Sequence, residues 1–298
     1  MKLQILSLLS ALLLVACATT SDDVVFVPQC SDVPSKSYPT QLIMSLDEGE
    51  QSRVELMDKK SVWTEGDLVS VYLYTTANQK WMFDGHTGDR NGTFSCVTAP
   101  ESKKEIASIV AVYPYNSSYW LNSKSCNIET KLPATQHYAE DSFGVGSSIM
   151  VAKGDEDNLF FHNVCGWLRL SIVGDGERVE SVAFKGNDEE QVAGRIYIYS
   201  EDATSQLASM PSAGGDGDVG GSLVFDGDII TDVVLECGGV ELSAEATNFY
   251  IALPPRTFDK GFTVKVSCSD GRTFERSTSR AMEVKRNHIL PMASFTLE

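Results

Sequence analysis

Basic residues are scarce in this chain of 298 residues: 24 Lys and Arg stand against 41 Asp and Glu, a formal net charge of −17. A surface of that sign is repelled by nucleic-acid backbones and anionic lipid headgroups, which excludes a phosphate reader or a polybasic membrane binder. Histidine is rarer still, and His86, His137, His162 and His288 never fall into H-E-x-x-H spacing. No C-x-x-C, G-x-S-x-G or S-x-x-K occurs either. The usual zinc and nucleophile signatures are therefore missing. Beyond residue 15 no apolar run approaches the ~20 residues of a membrane-spanning helix. The chain is read as a non-enzyme, with no metal or cofactor expected.

What is present starts at the N-terminus. Lys2 precedes an apolar run from Ile5 to Val15, too short to span a bilayer and placed where a secretory signal belongs, so residues 1–16 read as an export signal. The run ends Leu14-Val15-Ala16-Cys17, which resembles a bacterial lipobox, where the residue after the cut supplies the thiol that receives diacylglycerol. Cys17 is the expected lipidation site and the sole membrane attachment, since several acyl chains on one residue hold stably where one would not. Residues 17–37 then form a tether. Its start, Ala18-Thr19-Thr20-Ser21-Asp22-Asp23, is similar to the short acidic signal that sends lipoproteins of Bacteroidetes to the outer face of the outer membrane. A lipid-anchored place at the cell surface is the expected location.

Period two dominates the rest. Val69-Val71-Leu73, Ile106-Ser108-Val110-Val112, Leu168-Leu170-Ile172, Ile196-Ile198 and Phe262-Val264-Val266 each line one face of a short extended segment. Asp84-Gly85, Asn91-Gly92, Asp175-Gly176, Asp226-Gly227 and Asp270-Gly271 supply turn chemistry between such runs. No segment keeps a 3.6-residue period, so the expected fold is all-β and antiparallel, sandwich or barrel. A polar break at Lys153-Gly154-Asp155-Glu156-Asp157-Asn158 suggests a boundary, giving an N-terminal unit over 38–153 and a C-terminal one over 154–298. After Cys17, six cysteines remain: Cys30, Cys96, Cys126, Cys165, Cys237 and Cys268. An exported chain permits disulfides, and sequence cannot choose a pairing, but a chain of this length needs no staples and mostly free, buried thiols are expected.

Several candidate sites are weak when weighed by their chemistry. Gly215, Gly217 and Gly220 form a formal G-x-G-x-x-G, but Asp216 and Asp218 would repel a pyrophosphate and a strand-like run follows in place of a helix. Asp216, Asp218, Asp226 and Asp228 lack the order of an EF-hand loop and read as solvated. Cys165-Gly166-Trp167 superficially matches a cysteine-protease neighbourhood, yet it sits in a strand run and reads as a core thiol. Trp63, Trp81 and Trp120 with Tyr113, Tyr115 and Tyr119 could make a sugar-stacking platform, with core packing the stronger alternative.

Taken together, several segments resemble the fimbrillin-like lipoproteins of Bacteroidales, the subunits and anchors of type V pili. They are Trp63-Thr64-Glu65-Gly66-Asp67, Ala111-Val112-Tyr113-Pro114-Tyr115-Asn116 and Leu132-Pro133-Ala134-Thr135-Gln136, then Phe161-His162-Asn163-Val164-Cys165-Gly166-Trp167, Phe249-Tyr250-Ile251-Ala252-Leu253-Pro254-Pro255 and Asn287-His288-Ile289-Leu290-Pro291-Met292. The resemblance implies two tandem transthyretin-like antiparallel β-sandwich domains. It also implies partnership with other fimbrial subunits by donor-strand exchange, in which a protease removes the first strand after a basic residue and a neighbour's strand fills the groove. Tyr38 to Leu46 reads as that first strand and Arg53 as the candidate processing site. The chain departs from the pattern near residue 298, where Ala281 to Leu297 reads as a last strand of the second unit and not as a donor. A fimbrial structural and adhesion subunit, whether stalk, tip or anchor, is the leading expectation. The other is a surface lipoprotein that binds glycan or host protein without polymerising.

Overall fold

The computed structural model describes residues 38–46, 62–98, 105–122, 128–144, 146–147, 149–157, 159–198 and 223–297. Cys17, Cys30, Arg53, Cys126 and the glycine-rich loop with Asp216 and Asp218 lie outside them. The described residues contain strands and no α-helix, as the alternating pattern predicts. Residues Thr40–Glu298 cluster as one compact unit.

Seven strands close into a barrel: Gln41–Leu46, Leu159–Asn163, Met150–Gly154, Glu105–Tyr113, Leu68–Thr75, Gln79–Phe83 and Asn91–Cys96, the last pairing back to the first. The register carries one inward row around the wall. Leu42 lies opposite Phe94, Phe94 opposite Phe83, and Val69 opposite Trp81. Val71 faces Ala111, Leu73 faces Ile109, and Leu46 faces Phe161. All are buried, and Trp63 plugs the interior with its ring edge-on to Phe94 and Phe161 at 5.0 and 5.3 Å. Such edge-to-face contacts add to the area term of burying the rings.

Strand Leu68–Thr75 is buried on both faces, a double burial that produces a nearly continuous apolar run. Its outward residue Tyr72, with Val110 and Val112, packs on Leu121, Ile128, Ile196 and Ile198 of a second sheet. That sheet runs Leu223–Ile230, Ala193–Ile198, Ile128–Leu132, Trp120–Leu121. A third layer pair follows, in which Thr247–Leu253, Gly166–Val173 and Ile289–Pro291 face a six-stranded sheet built on Arg178–Gly186, Asp232–Glu241 and Phe262–Cys268. Leu168, Leu170 and Ile172 meet Val182, Phe184, Val264 and Val266 between them. Of the expected rows, Ile106 and Ser108 are half-buried and the other positions are buried.

Three expectations are corrected. Not every neighbour pair is antiparallel: Gln41–Leu46 with Leu159–Asn163, Thr135–Ala139 with Asp232–Glu241, and both Ile289–Pro291 and Phe295–Thr296 with Gly166–Val173 run parallel. Asn91-Gly92 begins a strand and is no turn. Asp226-Gly227 lies inside strand Leu223–Ile230, where Gly227 takes φ +89° at a register shift against Ala193 and Arg195. A bulge needs the same left-handed backbone that a tight turn needs, so the dipeptide signals either. Of the polar break, Lys153 and Gly154 end strand Met150–Gly154, and residues 155–157 follow it toward its antiparallel partner Leu159–Asn163 within the barrel wall. Strands Ile128–Leu132 and Thr135–Ala139 pair with Ala193–Ile198 and Asp232–Glu241, far later in the chain.

Candidate functional site

Strand Gln41–Leu46 is the element on which the barrel's closure depends. Its alternation puts Leu42, Met44 and Leu46 inward at 4% exposure or less, and Ile43 outward at 61%. On one side it pairs antiparallel with Asn91–Cys96 over Gln41 to Ser45. On the other it runs parallel to Leu159–Phe161. Leu46 N donates to Arg90 O at 2.8 Å and Cys96 N to Thr40 O at 3.0 Å, extending the ladder at both ends.

Burying three such side chains is worth roughly 5 to 9 kcal/mol at 1.5 to 3 each. Net stabilities of whole domains are about 5 to 15 kcal/mol. Losing this strand would therefore remove an interaction comparable to a large part of a domain's net stability, which an equivalent strand would restore. Emptied, the slot would offer two unpaired backbone edges and an apolar floor of Phe94, Leu159 and Phe161, the template that strand addition requires.

The segments carrying the family resemblance meet one another in space. Asp67 Oδ2 accepts from Thr64 N at 2.8 Å, and Tyr113 Oη donates to Asp67 Oδ1 at 3.2 Å. Burial raises the Asp67 carboxyl above its ordinary value, opposed by those two hydrogen bonds. Gly66 takes φ +80° between them, a left-handed position that suits glycine. The amide of Gln136 pairs with Ala252 as a further strand would, Nε2 donating to Ala252 O at 2.8 Å and Oε1 accepting from Ala252 N at 2.9 Å. Asn287 N donates to Cys165 O and Trp167 N to His288 O, both at 2.9 Å. A Cβ on Gly166 would lie 2.1 Å from Lys285 O, so only glycine lets these backbones approach so closely. Sequence inspection marked these segments without assigning the contacts; polar residues inside otherwise apolar strand runs were the available signal.

The described cysteines are free thiols. Cys165 is buried in the two-residue link between Leu159–Asn163 and Gly166–Val173, not within a strand, and burial pushes its thiol up to about 12. That is the opposite of what a nucleophile needs. Cys237 is pushed up to about 12 by burial as well, and Cys268 is buried in the alternating row with Phe262, Val264 and Val266. Asp226 pairs with Arg195 at 2.9 Å. Of the suggested aromatic platform, Trp63 and Trp81 are core and Trp120 is exposed.

No family model and no curated protein matches the chain. Solved structures similar to it include a candidate cell adhesion protein of Bacteroides ovatus, at 12% identity and TM-score 0.48 over 88% of this chain and 94% of that one. A candidate cell adhesion protein of Bacteroides uniformis shows 12% identity and TM-score 0.47 over 87% and 95%. The tip fimbrial protein Mfa3 of Porphyromonas gingivalis, truncated at its C-terminus, shows 10% identity and TM-score 0.33 over 84% and 94%.

Proposed function

We propose that the chain is a surface-exposed fimbrial and adhesion subunit, lipidated at Cys17, that associates with other subunits by β-strand complementation at the barrel slot now held by Gln41–Leu46. The observation that carries the reading is the strand's position: hydrogen-bonded on both sides, buried on one face, and contributed by the stretch just before Arg53. A cut after Arg53 would separate it from the rest of the wall without breaking any other described strand. A donor would need apolar residues at three alternate positions to replace Leu42, Met44 and Leu46. In this reading the chain is two tandem transthyretin-like units, the first closed by its own strand until processing.

The chain's own late strands are already engaged. Ile289–Pro291 and Phe295–Thr296 add to the edge of Gly166–Val173, and Leu297 is buried. The subunit therefore acts in this reading as an acceptor, with the donor strand supplied by another chain. The test is made on cells. Surface extracts left unboiled should show a ladder of high-mass species that contains this chain, and Cys17→Ser should release the protein from the membrane pellet. A single monomeric band in unboiled extracts, with the mature N-terminus still at Cys17, would overturn the polymer role.

A further inference from the structure

Three of the four tryptophans, Trp63, Trp81 and Trp167, are at most 4% exposed, whereas Trp120 is 51% exposed. It belongs to the edge strand Trp120–Leu121, whose alternation sends Leu121 into the core and Trp120 outward. The register extends that outward row across the sheet: Trp120 lies opposite Glu129, and Glu129 opposite Tyr197. The neighbouring outward row holds Lys131, Arg195 and Asp226. Arg195 links the two rows, Nη1 to Glu129 Oε1 at 3.3 Å and Nη2 to Asp226 Oδ2 at 2.9 Å, and Tyr197 Oη donates to Asp226 Oδ2 at 3.3 Å. Exposed ion pairs of this kind contribute little to stability. The half-exposed indole at the sheet edge presents an apolar ring face directly beside a fork of fixed polar groups.

We propose that this sheet face binds a neutral saccharide. The Trp120 ring stacks on the apolar face of one sugar, and Tyr197 contacts a sugar further along the same oligosaccharide. Glu129, Asp226 and Arg195 are preset acceptors and donors for its hydroxyls. Trp120 and Tyr197 stand two strand spacings apart, about 10 Å across the sheet, a span that a short linear oligosaccharide of three rings covers. Charge selects the class of glycan. Glu129 and Asp226 are balanced by Lys131 and Arg195, so the face is locally neutral in a chain of net charge −17. A sialylated or sulfated glycan would find no cationic excess here and repulsion from the rest of the molecule. A protein partner fits worse, because four charged side chains around two aromatics is the reverse of a charge-depleted interface core. The inference gives the adhesive part of the proposed role a ligand, and it does not depend on strand exchange.

The test uses the purified protein in detergent, titrated with cellobiose, maltose, lactose, chitobiose, mannobiose and longer oligomers of each, with sialyllactose for comparison. Binding is read by tryptophan fluorescence and by calorimetry. Saturable binding of at least one neutral saccharide is expected, with Trp120 shielded from acrylamide quenching. Trp120→Ala should weaken that binding roughly tenfold or more. Arg195→Ala should weaken it as well, with the thermal transition in place, so that loss of binding is separable from loss of fold. No saturable response to any neutral saccharide would overturn the proposal, as would binding unaffected by both substitutions or a preference for sialyllactose. So would a dimer of the free protein that Trp120→Ala dissolves, which would make the face an interface between copies.

Discussion

Two adjacent residues of one strand, Ile43 and Met44, should respond oppositely to the same truncation. Met44 is fully buried and faces Leu159 and Gly92, with Phe94 and Phe161 beside it on the inner wall, whereas Ile43 is 61% exposed. Met44→Ala removes three heavy atoms, about 2.4 kcal/mol at 0.8 for each. The aromatic rings around the gap are held edge-on by Trp63 and cannot collapse into it, so a residual cavity adds on the order of 1 kcal/mol. The expected cost is about 3 to 4 kcal/mol, and a unit of this size loses roughly 2 to 4 °C in melting temperature for each kcal/mol. Ile43→Ala should stay within about 0.5 kcal/mol of the parent. Urea unfolding of the three proteins, followed by tryptophan fluorescence, makes the comparison. Equal costs for the two substitutions, or a larger cost for Ile43, would refute the assigned register and with it the buried closing strand.

Leu170→Ala should cost about 2 to 5 kcal/mol. Leu170 lines a pocket of about 120 Å³ that opens to solvent, with Phe262, Val264, Met292 and Phe295; denaturant unfolding checks the cost, and a value under about 1 kcal/mol would count against this packing. Of the four described cysteines only Cys96 is not buried, so brief iodoacetamide treatment at neutral pH should label it ahead of Cys165, Cys237 and Cys268, as peptide mass mapping would show; early labelling of Cys165 would contradict its burial. Desolvation first, then Lys285 and Arg286, lower the His288 imidazole below its ordinary 6.5. Below that pH the unfolded chain binds the proton more readily than the folded one, so this site's contribution to stability falls as pH drops through 6.5 toward the lowered value. His288→Gln should flatten that part of a pH–stability curve measured by urea midpoint, and an unchanged slope would show that the site does not titrate as described.

The alternating runs were legible because side chains point to opposite faces at every step, and that local rule needs no knowledge of the partner strand. It gave the core positions from Val69 to Val266 and the extended run from Tyr38 to Leu46, without saying which face of that run is buried. It could not tell that Val69 and Val71 face the barrel interior while Val110 and Val112 face the next sheet, since both sides of the wall are buried. Nor could it foresee that Ile128–Leu132 pairs with Ala193–Ile198, because register between distant segments is fixed by long-range complementarity. The parallel pairing of Gln41–Leu46 with Leu159–Asn163 escaped for the same reason, and with it the detail that makes the first strand a keystone of the wall. Asn91-Gly92 and Asp226-Gly227 show the limit of dipeptide signals: they mark backbone freedom, which a hairpin, a strand start or a bulge can each use.

Strand replacement is most directly measured on the cut protein itself. Limited trypsin treatment, followed by intact mass, should give a product beginning at Val54; gentle denaturant then strips the N-terminal fragment. A fluorescent peptide of the sequence Tyr38 to Leu46, added as the denaturant is removed, should bind saturably and restore the melting transition of the intact barrel, while the same peptide with Met44 replaced by Asp should not. Without peptide, the cut chain should associate through its open slot or melt at much lower temperature. A cut chain that stays a stable monomer with the parent's transition, and shows no affinity for the peptide, would contradict strand complementation at this barrel.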